Sequence, residues 1–174
     1  SDEMIAIARE RNPHLDFRLD SCTELGSLDA DQFDILVSNY VLMDLPDLDG
    51  AVRAFYRVLK VGGTAVLVFS HPCFNQGSHR LREDGVTVDY TWSFPYFEHR
   101  KVVDPPWNHF QSEFIWFHRP LSDYWRAFTS AGFVVADFDE PRVTEDRYHL
   151  AADERELRNC RSRPFSVAFR LRKT

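Results

Sequence analysis

Apolar and polar positions follow one another along this chain in blocks of changing period, and the blocks predict helices alternating with strands. The opening SDEMIAIARERN places Met4, Ile5 and Ala8 on one helical face, with Ser1 as N-cap and acidic residues in the first turn. LDFRLD then switches to period two, Leu15, Phe17 and Leu19 against Asp16, Arg18 and Asp20, which predicts a strand with unlike faces. FDILVS is a continuous apolar run suited to a strand buried on both sides. DLDGAVRAFYRVLKVGG returns to helical spacing at Leu48, Val52, Phe55 and Leu59, with Asp47 or Asp49 as cap and Gly62-Gly63 as its end. TAVLVFS predicts another buried strand. RPLSDYWRAFTSAGF predicts a helix capped by Ser122, with Leu121, Trp125 and Phe128 inward and a turn at Gly132. FVVADFD and FSVAFRLR predict two more strands, with a short helix over residues 151–160 between them.

The rhythm breaks over residues 72–118. Between Tyr90 and Phe117 aromatic rings are interleaved with charges and a Pro105-Pro106 pair, which marks an insertion in a single domain spanning residues 1–174. Exposing so many rings would create a large adhesive surface, so the segment has to pack on something. The rest is an α/β pattern that implies a mostly parallel, doubly wound sheet, and such sheets bind ligands beyond the carboxyl ends of their strands. Polar pairs follow three apolar runs there: Asp20-Ser21, Ser38-Asn39 and Ser70-His71. These pairs are expected to border a cleft.

Composition narrows the function. With 27 acidic against 21 basic side chains the formal charge is -6, which repels a phosphate backbone and disfavours nucleic acid as a partner. Three cysteines without C-x-x-C spacing give neither a disulfide framework nor a zinc ribbon, and a reduced, cytoplasmic setting fits them. His99, His109 and His118 match no compact metal motif, so no metal is expected. No apolar run is long enough for a membrane span, and no membrane partner is expected.

Five stretches, in order, resemble the class I S-adenosylmethionine-dependent methyltransferases of the small-molecule branch. They are the opening S-x-x-M helix, the D-x-x-x-E-L at Asp20 to Leu25, FDILVSNYVLMDL, RVLKVGGTAVL and HRPLSDYWRAFTSAGFVVADFDEP. The resemblance implies a Rossmann-like sheet with an antiparallel last strand, S-adenosylmethionine as cofactor and a small-molecule acceptor. It implies that Asp20, with the amides of Ser21 and Cys22, reads the adenine, whose amine donor and ring-nitrogen acceptor match a carboxylate beside free N–H groups. Met4 would pack on the adenine face, and Asn39 and Tyr40 would border the methionine part. On the residues alone, Asp20 is also a plain strand end, Met4 plain core, and Asn39-Tyr40 an ordinary turn.

The family's first strand and its glycine-rich loop have no counterpart among the seven glycines, and the acid that bonds the ribose would stand before Ser1. The expectation is therefore a domain incomplete at its N-terminus, with exposed sheet edges. Methyl transfer is an in-line displacement that depends on positioning, with a base where the acceptor must lose a proton. His71, directly after a strand and braced by Pro72, is the first catalytic candidate, and His118 beside Arg119 is the second; lone histidines are also commonly structural. The insertion is expected to cap the cleft and line the acceptor pocket through Phe74, Trp92, Tyr96 and Trp107. The competing expectation is a non-catalytic methyltransferase-like protein whose insertion mediates association, including a homo-oligomer. A dinucleotide-dependent dehydrogenase is set aside, because its glycine fingerprint is missing too.

Overall fold

Where the apolar runs are longest the chain forms its sheet, in a computed structural model that describes residues 1–106 and 111–174. In chain order the elements are α1 (Asp2–Arg11), β1 (Phe33–Asn39), α2 (Leu48–Val58), β2 (Leu59–Ser70), β3 (Ser78–Leu81), β4 (Val88–Thr91) and β5 (Arg100–Asp104). They continue with β6 (Phe114–His118), α3 (Leu121–Ser130), β7 (Phe133–Asp139), α4 (Glu154–Ser162) and β8 (Ser166–Lys173). The main sheet has the order β1-β2-β8-β7, with β1 parallel to β2 and β8 antiparallel to both its neighbours. The expected antiparallel last strand is thus in place. The insertion folds as two hairpins, β3-β4 and β5-β6.

Period-two alternation decides which side chains are inside. Ala65, Leu67 and Phe69 on β2 and Val167, Phe169 and Leu171 on β8 face one side, where they meet Val52 and Phe55 of α2 and Tyr124 and Phe128 of α3. Phe69 stacks on Tyr124 at 4.3 Å, and Phe128 meets Phe169 edge-on at 5.1 Å. Fully burying each such ring contributes about 1.5–3 kcal/mol, so this one face carries most of the stability. On the other side Ile35 and Val37 of β1 remain 67% and 68% exposed.

Four expectations need correction. Residues 15–20 form no strand. A strand exists only when a neighbour takes its amides and carbonyls, and among the described residues none runs beside this segment; Arg9 and Arg18 instead bond the carbonyls of Phe17 and Ser27. α2 stops at Val58, short of Gly62-Gly63, because the amides of Asp31 and Gln32 take the carbonyls of Arg57 and Val58 and turn the chain into β2. Its cap is Asp47, which accepts from the Gly50 amide. Ser122 does not cap α3: the helix begins at Leu121, whose amide donates to the hydroxyl of Tyr96 in the insertion at 2.8 Å. Trp125 is half exposed, and Tyr124 takes the inward position.

Candidate functional site at the carboxyl edge of the sheet

The carboxyl end of β1 breaks in a way its sequence signals. Ser38 is buried, Asn39 ends the strand, and Tyr40 adopts φ +53, a left-handed conformation that costs a non-glycine residue of order 1–3 kcal/mol unless its surroundings hold it. They do hold it. The Tyr40 amide donates to the Val68 carbonyl at 2.8 Å, and its hydroxyl hydrogen-bonds the Ser166 hydroxyl at the start of β8. Tyr40 therefore closes the rim across three strands. The buried Ser38 hydroxyl has no hydrogen-bond partner among the described residues.

At the next strand end His71 is buried with both ring nitrogens engaged. Nδ1 accepts the Cys73 amide at 3.1 Å, so the proton sits on Nε2, which donates to the Glu140 carboxylate at 2.8 Å. Glu140 follows β7 and is about half exposed, so this pair joins the ends of β2 and β7 and opens to solvent through its acid. The Phe74 ring lies 5.0 Å from the His71 ring, and Tyr90 meets Phe74 edge-on at 5.5 Å.

The insertion lies against this rim through polar contacts as well as rings. Gln76 is buried and fully satisfied: its amide donates to the Phe94 carbonyl, its oxygen accepts from Ser93 and Phe94, and its carbonyl accepts the Tyr90 hydroxyl. Trp92 Nε1 donates to the Cys73 carbonyl at 2.7 Å. Gly77 at φ +98 allows the strands of the first hairpin to approach, since a Cβ there would collide with the Thr91 carbonyl. His118 is 1% exposed among Phe94, Tyr96 and Trp116, and its Nε2 donates to the Tyr96 carbonyl at 2.8 Å. Burial holds its imidazole below the ordinary value. Nδ1 of His118 has no partner among the described residues. Trp107 lies outside the described residues.

The expected cofactor residues divide. Cys22 and Asn39 share an apolar groove of about 370 Å³ along β1, with Ser38, Leu25 and Val37 on its walls. Asp20 lies in the loop before it, with its carboxylate accepting from the Ser27 hydroxyl and amide and from the Ser21 amide, bonds that hold its pKa below the ordinary value. Ser21's amide is thereby engaged, and among the described residues that of Cys22 has no hydrogen-bond partner. Met4 stands 71% exposed on α1, which has no buried residue, so the structure does not bring it to the groove.

Several polar and titratable residues were not marked by the sequence patterns. Glu140 is one. Asp44, in a short 3-10 helix at Leu42–Asp44, is another; burial pushes its carboxyl up, and one of its oxygens has no partner among the described residues. Tyr124 is pushed up to about 12 by burial. Arg119 donates to the carbonyls of Leu45 and Pro46, fastening the segment after β1 to the start of α3. Asp44 and Arg119 both lie close to Tyr124, a neighbourhood that their sequence positions do not signal.

A methyltransferase domain family matches residues 1–67. Over 68 residues the chain is 34% identical to the demethylmenaquinone methyltransferase of Chlorobaculum tepidum, a match covering 39% of this chain and 28% of that protein. This chain thus spans little more than a quarter of the curated relative it matches. A crystal structure of an S-adenosylmethionine-dependent methyltransferase from Mesorhizobium loti superposes with a TM-score of 0.79 at 18% identity, covering 99% of this chain and 77% of that one. A methyltransferase structure from Methanosarcina mazei does so with a TM-score of 0.64 at 16% identity, covering 99% and 78%.

Proposed function

From a chain with the fold and N-terminal motifs of the class I S-adenosylmethionine-dependent methyltransferases, we propose that the full-length protein transfers a methyl group from S-adenosylmethionine to a small-molecule acceptor. One observation carries the reading: the groove holding Cys22 and Asn39 lies beside β1, and the rim where β1, β2 and β7 end gathers Tyr40, His71 and Glu140 against the aromatic insertion. When bound, the cofactor supplies an electrophilic methyl on a sulfonium centre. The apolar walls of the groove fit the adenine of such a ligand, with Cys22 toward it and Asn39 and Tyr40 toward the methionine part. Asp20 contributes there by swinging from Ser27 or by holding the loop that presents the Cys22 amide.

His71 and Glu140 manage the acceptor's proton. With Nδ1 engaged and Nε2–H donated, the acceptor's proton passes to the Glu140 carboxylate, which the neutral His71 ring orients through its hydrogen bond. His118, enclosed by rings and bonded to Tyr96, positions the insertion. Phe74, Trp92 and Tyr96 contribute the acceptor wall, and water is kept from the reacting centre. Calorimetric titration of the full-length protein with S-adenosylmethionine tests the reading, and absence of binding overturns it.

A second reading has its own observation. Phe97 is 80% exposed and Phe114 and Ile115 are also open on the insertion, an apolar surface suited to association, including a homo-oligomer.

A further inference from the structure

We propose that the acceptor carries an anionic group, a carboxylate or a phosphate, held by Arg142, Arg161 and Arg163 in a cavity beside the His71–Glu140 pair; this rests on the methyltransferase reading above. The cavity has a volume of about 390 Å³ and lies between the segment after β7 and the end of α4, with Glu140 and Tyr148 also on its wall. That is far more room than an anion alone needs, and within the range of small-ligand sites.

Three arginines around one cavity repel each other unless enough negative charge meets them, and among the described residues the lining carries a single acid. Among the described residues none of the three forms an ion pair. Glu140, the one acid on the wall, is directed to His71. In a chain of net charge -6, this is a local excess of positive charge beside a reaction rim.

Arg163 is also prepared in advance. Its Nε donates to Asn159 at 3.1 Å and its Nη1 to the Phe74 carbonyl at 3.0 Å, while its plane lies 4.4 Å from the Phe165 ring and 5.3 Å from the Tyr90 ring. Arg161 rests over Tyr148 at 5.3 Å. A guanidinium fixed by stacking loses little freedom on meeting a carboxylate or phosphate, whose paired oxygens match its fork. The connection to the rim is direct, because Arg163 bonds Phe74 and the Phe74 ring packs on His71. An acceptor anchored by its anion would lay its body against Phe74.

The test uses the full-length protein, titrated separately with inorganic phosphate, phenyl phosphate, benzoate and S-adenosylmethionine. The double variant Arg142→Gln/Arg161→Gln changes two exposed side chains that make no hydrogen bond among the described residues, so folding is spared. It is expected to bind phenyl phosphate or benzoate at least tenfold more weakly and S-adenosylmethionine unchanged; the tighter of the two probes identifies the anion. Phe74→Ala is expected to weaken phenyl phosphate severalfold and leave inorganic phosphate as it was. No measurable binding of any anion by the unaltered protein, or equal binding by the double variant, overturns the site. Insensitivity of phenyl phosphate to Phe74→Ala overturns its role in holding the acceptor. Arginine-dependent anion binding without S-adenosylmethionine binding overturns the methyltransferase reading and, with it, the acceptor assignment.

Discussion

At the scale of the residue, His71 and His118 show how identical side chains are given different work. His71 keeps a route to solvent through Glu140, whereas His118 has none. Glu140→Gln preserves an acceptor for the Nε2 proton but removes the charge, so kcat is expected to fall about 10²-fold or more with S-adenosylmethionine affinity unchanged, measured by steady-state kinetics and calorimetry. His118 bears on stability instead. Its folded-state pKa lies below the ordinary 6.5, so the unfolded chain takes the extra proton first and stability is lost as pH falls through about 6.5. His118→Phe should flatten that part of the stability curve, followed by urea denaturation at several pH values. The histidines could be read from the sequence because each directly follows a run of apolar residues. Glu140 could not: it stands 69 residues beyond His71 and meets it only because β7 runs beside β8, whose start borders the end of β2.

At the scale of the element, the insertion is held by a few polar contacts at Gln76, Trp92 and Tyr96, with rings packed around them. Trp92→Ala removes the bond to Cys73 and an aromatic wall. It is expected to impair turnover of the acceptor at least tenfold while leaving S-adenosylmethionine binding intact. If the insertion serves association instead, the same variant should split an oligomer and leave turnover per folded subunit unchanged, which mass measurement beside the activity assay distinguishes. Helices and central strands were legible where periodicity alone decides them, as in Val52 and Phe55 of α2 and Phe128 of α3, all of them in the core. Element ends were not. α3 is capped by a tyrosine 25 residues away in sequence, and α2 is ended by amides from the preceding loop, and neither leaves a local mark.

At the scale of the molecule, β1 is an edge strand with Ile35 and Val37 open beside it, and α1 has no buried residue to cover them. An unpaired edge with an apolar face is a template for further pairing. Residues 1–174 made alone are therefore expected to self-associate in dilute solution, measured by light scattering, and a cooperative monomer would contradict that. The period-two pattern of residues 15–20 misled for the same reason. It records a preference for a strand, but pairing is a property of the whole sheet, and here no neighbour receives it.

The polar clamp at Gln76 has a consequence for how such a protein diversifies. Nearly all its bonds run to Tyr90, Ser93 and Phe94, within the same segment, so the first hairpin carries much of its own order with it. Because β3 to β6 stand outside the main sheet, exchanging this segment for one of different length leaves every strand register of the scaffold untouched. If the segment holds the acceptor as proposed, a lineage, or an engineer, can graft acceptor preference as a cassette while the groove along β1 is inherited unchanged.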